Sequence, residues 1–482
     1  MGSETSTDGA DAYAVYRAAV ARTYGVIDPT PDLTGGLDAI HARARAKQAR
    51  LGRLLAAMGD PHLAAPVVHV GGTSGKGSTS VAVAAILSAA GYRTLLHTSP
   101  YLQVATEKLQ LDGRLVDPAT FAAGIATVLG AAEALGEGPI GYPELWMALI
   151  GWTMRALGVD AAVIEVGAGG LLDMTNVVRP TVSVITSVGL DHTETLGATV
   201  AEIALQKAGI IKPGIPVVTA VTNPTALAVI RAEAAHRDAP LTEIGLGDDV
   251  VVDDDRGDWL APVGWRDVAS GQRYVGGMAG RIQAVNGATA LATVRALRGQ
   301  GWVIGDDAVQ SGLAAGRLPG RLEIVRQHPT VVLDAAHNPQ KAAALAGDLA
   351  TMGRRCVGVI GVLAAKQARE VLAELAPALR ALVATEPMVL GKPSLPAAEL
   401  AAIALEVGID EVVAEADPGR ALDRALEMAG RDEVVLVTGS LYLIGELRRR
   451  WYPDEAMIAQ GTAWPVASSL TPGPSSRGRG GL

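Results

Sequence analysis

The chain has 482 residues with a net charge of −9, and its 49% hydrophobic content includes a single phenylalanine and a single cysteine. That length exceeds one ordinary core and predicts two domains, filled by Ala, Val, Leu and Ile rather than aromatics. Cys356 alone excludes an intrachain disulfide and a multi-cysteine metal site, and the dispersed basic residues argue against a nucleic-acid partner.

Residues 1–12 are acidic and polar, unlike a signal peptide, and both they and the Pro/Gly/Ser-rich tail 466–482 are expected to be disordered. No apolar run is expected to approach the roughly 18 residues that span a bilayer, so no membrane partner and a cytoplasmic location are expected. Between the termini, apolar β-branched runs predict strands at 67–70, 94–97, 162–166, 182–186 and 216–219, then at 330–333, 355–361, 381–385 and 433–438. Ala/Leu-rich helical stretches separate them. Such alternation predicts an α/β protein with parallel sheets covered on both faces, in two domains: an N-terminal P-loop-type ATPase domain over 13–298 and a C-terminal Rossmann-like domain over 299–455. The division is placed where Gly299, Gly301 and Gly316 interrupt the pattern. The acidic, Gly-rich stretch 245–277, with Trp259 and Trp265, reads as a β-excursion from the first domain.

After the first strand comes Gly71-Gly72-Thr73-Ser74-Gly75-Lys76-Gly77-Ser78-Thr79, then an Ala/Val-rich helix. Glycines that let backbone N–H groups close on an anion, a compact cation at Lys76 and hydroxyls at the head of a helix predict a nucleoside triphosphate cradle, with Ser78 or Thr79 in reach of a phosphate-bound Mg²⁺. The general P-loop pattern is departed from in two places: Val70 stands where its first glycine belongs and Gly77 where its hydroxyl belongs.

Further motifs also begin at predicted strand ends, where α/β sheets bind ligands. They run Thr98-Ser99-Pro100-Tyr101-Leu102, Tyr142-Pro143-Glu144, Glu165-Val166-Gly167-Ala168-Gly169-Gly170-Leu171-Leu172-Asp173-Met174-Thr175-Asn176, Asp191-His192, and Lys207-Ala208-Gly209-Ile210-Ile211-Lys212-Pro213. Then follow Gln283 and Asn286, Gly320-Arg321-Leu322-Glu323, Asp334-Ala335-Ala336-His337-Asn338-Pro339 and Gly439-Ser440-Leu441-Tyr442. Asp173, Thr175 and Asn176 are suited to a flat heterocycle, and a carboxylate beside a serine hydroxyl suits a hard cation.

From about Thr34 to Tyr452 this ordered series resembles the folylpolyglutamate synthase/dihydrofolate synthase family of the Mur ligase superfamily. The resemblance implies an ATP-dependent ligase that adds L-glutamate to a folate through an acyl phosphate, with ATP and Mg²⁺ as cofactors. It implies that Gly72, Thr73, Ser74, Gly75, Lys76, Gly77, Ser78, Asn286, Arg321 and Asp334 bind ATP, and that Lys76, Lys207, His192 and Arg321 are catalytic. It further implies that Ser99, Glu144, His192 and a carbamylated Lys207 hold metal, and that Asp173, Thr175, Asn176, His337 and Ser440 contact folate or glutamate. Tyr101, Leu171, Ile282 and Ala365-Lys366-Gln367 depart from the family's pattern. A monomer acting on small molecules is expected. Dihydropteroate and reduced folates both remain open as acceptors. A Mur-type ligase for a peptidoglycan precursor and a P-loop ATPase without ligase activity are the alternatives.

Overall fold

Apolar β-branched runs form two sheets, each covered by helices on both faces, as strands without polar alternation require. The computed structural model describes residues 5–26, 34–253, 260–351, 353, 355–389 and 392–466. Residues 1–4 and 467–482 of the expected disordered ends, and Trp259, lie outside the described residues.

In chain order the first unit contains α1 (Thr5–Tyr24), α2 (Gly36–Ala57), β1 (Val67–Gly71), α3 (Lys76–Ala89), β2 (Thr94–His97), β3 (Gln110–Leu111), β4 (Arg114–Leu115), α4 (Pro118–Leu135) and α5 (Tyr142–Leu157). It continues with β5 (Ala161–Glu165), β6 (Pro180–Ile185), α6 (Thr193–Leu196), α7 (Val200–Ala208), β7 (Val217–Thr219), α8 (Pro224–His236) and β8 (Leu241–Glu243). Strands β9 (Val250–Val252), β10 (Gly264–Asp267) and β11 (Arg273–Val275) and helices α9 (Ile282–Gly299) and α10 (Asp306–Ala315) complete it. The main sheet has the order β4-β3-β2-β5-β1-β6-β7-β8, with β3 and β4 antiparallel and the rest parallel. Successive residues of β5 face opposite cores. Ala162 and Ile164 pack with α1, α4 and α5, while Ala161 and Val163 pack with α3, α9 and α10. Val70 of β1 lies opposite both Glu165 of β5 and Val184 of β6, so these three strands end side by side.

The β-excursion is the antiparallel sheet β11-β10-β9. Its buried Trp265 stacks on Tyr274 at 4.9 Å and lies against Gly287 of α9, where a Cβ would approach the indole to 3.2 Å.

The second unit contains β12 (Glu323–Arg326), β13 (Thr330–Leu333), α11 (Pro339–Ala350), β14 (Cys356–Ile360), α12 (Ala368–Leu375), β15 (Leu379–Ala384), α13 (Ala397–Glu406), β16 (Glu411–Ala414), α14 (Pro418–Met428), β17 (Val434–Thr438) and α15 (Leu441–Arg448). Its sheet order is β12-β13-β17-β14-β15-β16, antiparallel only at β12. Helix α16 (Asp454–Gln460) follows and packs Met457 and Ile458 into the core of α1 and α4.

Three expectations change. Residues from Thr5 onward are helical rather than disordered: α1 buries Tyr16, Ala19 and Thr23 on one face, the spacing of an amphipathic helix. Helix α10, placed with the second domain by the glycine interruptions, packs on α3 so closely that a Cβ at Gly312 would meet Ile86 Cα at 2.4 Å. Among the described residues, α4 is long and apolar enough to cross a membrane by length and composition, contrary to the expectation that no run approached that length. Its face of Phe121, Ile125 and Val128 is buried in the core shared with α1 and α5.

Candidate active site

The loop after β1 turns sharply and then opens α3. Gly72 has φ +145° and its Cβ would lie 2.0 Å from Thr186 Oγ1; Gly75 has φ +84° and its Cβ would lie 2.5 Å from Asn286 Oδ1. Neither position tolerates a side chain. The loop is fastened to the exit of β6: Thr73 N donates to Ser187 O (2.8 Å), Ser74 N to Ser187 Oγ (2.8 Å), and Thr186 Oγ1 to Ser74 O (2.6 Å). Thr73 Oγ1 also accepts the Gly189 amide at 3.1 Å. Ser74 Oγ is buried without a hydrogen-bond partner among the described residues, a donor suited to an anion in the cradle. Gly77, where the general pattern has a hydroxyl, sits against Leu318 and Glu165, with 3.0 and 3.4 Å available to a Cβ. Ser78 is buried behind it.

Glu165 at the end of β5 is the carboxylate of this cleft that lies beside Lys76. Its Oε2 accepts the Ser99 amide at 2.8 Å and its Oε1 lies 4.0 Å from Lys76 Nζ. Burial pushes its carboxyl up, opposed by Lys76, the Ser99 amide, Arg321 and Lys341. Ser99 precedes a cis peptide to Pro100, and its hydroxyl makes no hydrogen bond to the described residues. Gly77, Ser99, Glu165, Leu318, Arg321 and Leu441 line one pocket, with both units contributing.

Lys207, in the last turn of α7, is 3% exposed. Burial, then Lys76, push its amine down to about 7, with Asp191 and Asp173 opposing. A buried amine that readily loses its proton can take up CO₂ to become a carbamate. His192 has φ +51° ahead of α6; burial lowers its pKa, Asp191 opposes that, and Lys366, Lys76 and Lys207 add to it. Burial acts to raise Asp191, but His192, Lys366, His337 and Lys341 together hold its carboxyl below the usual range. Lys366, the one lysine kept from the family's second-domain element, reaches Asp191 at 3.3 Å from the other unit.

Arg321 is held by its own Gly320 carbonyl at 2.9 Å. Asp334 accepts the Leu322 amide (3.1 Å) and the Ala336 amide (2.9 Å) with its two oxygens, shaping the turn that carries Arg321, whose charge opposes the upward push of burial on this carboxyl. Asn286 lies under Gly75 and donates to Gln283 Oε1 at 2.9 Å. His337 is fixed by Nδ1 on Ala335 O at 2.9 Å, and burial followed by Lys341 pushes its pKa down to about 3.

Several expected contacts are corrected. Glu144 is fully buried and forms a two-pronged ion pair with Arg50 (2.7 and 2.6 Å) while accepting the Gly141 amide at the start of α5. It is a clamp between α2 and α5, not a metal carboxylate. Asp173, Thr175 and Asn176, of which only Thr175 is buried, are bonded to their own loop and its neighbours. Asp173 accepts from the Ala168 and Thr175 amides and from Thr175 Oγ1, which in turn accepts from His69 Nε2 at 2.9 Å. Asn176 donates to Leu171 O and Gly209 O and accepts Lys212 Nζ at 2.8 Å. These bonds fix the glycine-rich loop instead of presenting free groups to a heterocycle. The Ser440 hydroxyl caps α15 through Tyr442 N. Reasoning from sequence missed Glu165 as the cleft carboxylate and Lys341 as a cleft cation; the signal for Glu165 is its place at the carboxyl end of the strand beside the phosphate loop.

Among the described residues no three His, Cys, Asp or Glu side chains converge on a point. The donors that do gather fit Mg²⁺ nonetheless: a free serine hydroxyl, a carboxylate and a lysine able to become an anionic carbamate are hard ligands.

The fold and this cleft have counterparts. Residues 70–257 match the Mur ligase middle domain and residues 320–441 the Mur ligase glutamate ligase domain. Dihydrofolate synthase/folylpolyglutamate synthase of Bacillus subtilis is 33% identical over 423 residues, covering 83% of this chain and 94% of that protein. The Mycobacterium tuberculosis folylpolyglutamate synthase complexed with ADP and AMPPCP superposes with a TM-score of 0.75 at 31% identity, covering 84% of this chain and 96% of that one. The Escherichia coli FolC complex with DHPP and ADP superposes with a TM-score of 0.72 at 27% identity, over 87% and 99% of the two chains. The chain belongs to the dihydrofolate synthase/folylpolyglutamate synthase family of Mur ligases, ATP-dependent enzymes that join glutamate to folates.

Proposed function

We propose that this cleft activates a folate carboxylate with ATP and hands the resulting acyl phosphate to the amine of L-glutamate. The observation that carries the reading is the gathering of Lys76, Lys207, Arg321, Lys341 and Lys366 around Glu165 and Asp191, with Asp173 acting on Lys207 and Asp334 on Arg321, at the mouth of a phosphate-type loop. An excess of cations in a shielded cleft suits a polyphosphate and the charge that develops during phosphoryl transfer. Gly72 to Ser78 cradle the phosphates, Lys76 neutralises them, and Arg321 approaches from the second unit. Asn286 supports the loop beneath Gly75. Ser99, Glu165, His192 and carbamylated Lys207 would hold Mg²⁺, which when bound would polarise phosphoryl oxygens. Closure of the two units, already in contact through Lys366 and Asp191, would exclude water from the acyl phosphate.

The protein acts as a cytoplasmic monomer on small molecules, and the acceptor is dihydropteroate, a tetrahydrofolate or both. The test supplies purified protein with ATP, Mg²⁺, L-glutamate and each acceptor in turn, read by mass spectrometry. Extension of at least one acceptor by one glutamate with ADP formed is the expected result; ATP hydrolysis with neither acceptor extended would refute it.

A further inference from the structure

The cations of the cleft are not equivalently partnered. Lys76 lies 4.0 Å from Glu165, Lys366 lies 3.3 Å from Asp191, and Arg321 rests on Gly320 O at 2.9 Å. Lys341 stands in the first turn of α11, where Asn338 Oδ1 accepts its backbone N–H at 2.9 Å. The one hydrogen-bond partner of its amine among the described residues is His337 Nε2, at 3.3 Å. Because Ala335 O can only accept, His337 Nδ1 carries the ring proton and Nε2 is a bare lone pair. Lys341 therefore has a neutral acceptor and no carboxylate in ion-pair contact, while Arg321, Lys76 and Lys366 crowd it with positive charge and Asp191 and Glu165 oppose them from farther off.

A half-buried amine so placed lacks a paired anion. Lys341 and Arg321 come from the second unit, whereas Lys76 comes from the loop of the first. A triphosphate seated in that loop presents its far end to the opposite wall. We propose that Lys341 is a further phosphate-binding residue, which meets the terminal phosphoryl group of ATP beside Arg321. The proposal rests on the ATP-dependent ligase reading of the cleft. Before nucleotide binds, burial and the neighbouring cations hold the amine down to about 7. The arriving phosphate reverses that balance, so Lys341 takes up a proton from solvent at slightly alkaline pH.

Titration calorimetry of the full chain with AMPPCP and with ADP, Mg²⁺ present, tests this. In Lys341→Met the affinity for AMPPCP should fall at least about tenfold, the scale of one charge-assisted hydrogen bond, while that for ADP stays within about twofold. Lys341→Arg keeps the charge and should bind AMPPCP within about threefold of wild type. At pH 8, wild-type binding of AMPPCP should take up more protons than Lys341→Arg does, read from heats in two buffers of different ionisation enthalpy. Unchanged AMPPCP affinity in Lys341→Met, or equal weakening of both nucleotides, would overturn the proposal. Lys76→Ala serves as the control on the underlying reading and should weaken both nucleotides. If it weakens neither, the ATP cleft itself is wrong, whatever Lys341 does.

Discussion

Two glutamates show how similar motifs diverge at the level of single side chains. Glu144 opens an apolar helix, and its sequence context cannot distinguish a ligand from a residue that closes its own helix end. The structure gives it Arg50 and the Gly141 amide. Glu165 was visible in the sequence as the first residue of a long motif, but its role depends on β5 lying next to β1, a pairing that no local pattern records. Glu165→Gln is therefore expected to abolish turnover while melting within a few degrees of wild type. Glu144→Gln should do the reverse, destabilising by about 3 kcal/mol, the low end for breaking a buried pair since Arg50 is one-fifth exposed. Urea unfolding and steady-state kinetics on both variants check the pair. Lys207 permits a chemical test as well. Lys207→Ala should lose most activity and regain part of it with an added short-chain carboxylic acid, whereas Lys207→Arg should stay inactive. Only a neutral amine takes up CO₂, and this amine loses its proton near pH 7, so enzyme stripped of carbamate should, at equal dissolved CO₂, recover faster at pH 8 than at pH 6.

At the scale of elements, the interior parallel strands were legible because they are continuous Val, Ile, Leu and Ala runs with no competing helical period. The predicted 94–97 and 330–333 coincide with β2 and β13. The edge strands β4, β8, β12 and β16, and β3 next to β4, were not legible: each is two to four residues long and mixes polar with apolar side chains, so pairing to a neighbour defines them. The opening of α1 was hidden by a polar start, although Tyr16, Ala19 and Thr23 carry the helical spacing. The phosphate loop was the most legible element, since its glycines answer to a backbone requirement. Gly72→Ala should cost about 1–3 kcal/mol of stability, from the positive φ and the collision with Thr186 Oγ1, and the displaced loop should lose nucleotide affinity at least about tenfold. A variant with wild-type melting and ADP binding would show that the loop can relax and that the glycine is not required.

The whole molecule is joined across its two units by contacts far apart in sequence, which is why composition and glycine breaks misplaced α10 and gave no sign that α16 returns to α1. Arg448, fully buried at the end of α15, donates to Glu323 of β12, to Gln103 Oε1 at 2.5 Å and to Ala463 O at 2.7 Å. Gln103 follows the Ser99 turn of the first unit, so this guanidinium ties the second sheet to the strand exit that carries a cleft residue. Arg448→Met should destabilise by about 3–5 kcal/mol because Glu323 and Gln103 lose their shared donor, and calorimetric unfolding should show it as a lowered Tm. A Tm within two degrees of wild type would remove Arg448 from this role.

In the proposed reaction, the cleft between the units makes an acyl phosphate from a folate carboxylate. The most direct measurement supplies an acceptor whose glutamyl or benzoyl carboxylate carries ¹⁸O, together with ATP, Mg²⁺ and L-glutamate, and analyses the released phosphate. Transfer of one ¹⁸O from the carboxylate to phosphate in step with amide formation is predicted, because the oxygen bonded to phosphorus leaves with it. Phosphate free of ¹⁸O, with ADP formed and the glutamylated product present, would exclude an acyl phosphate.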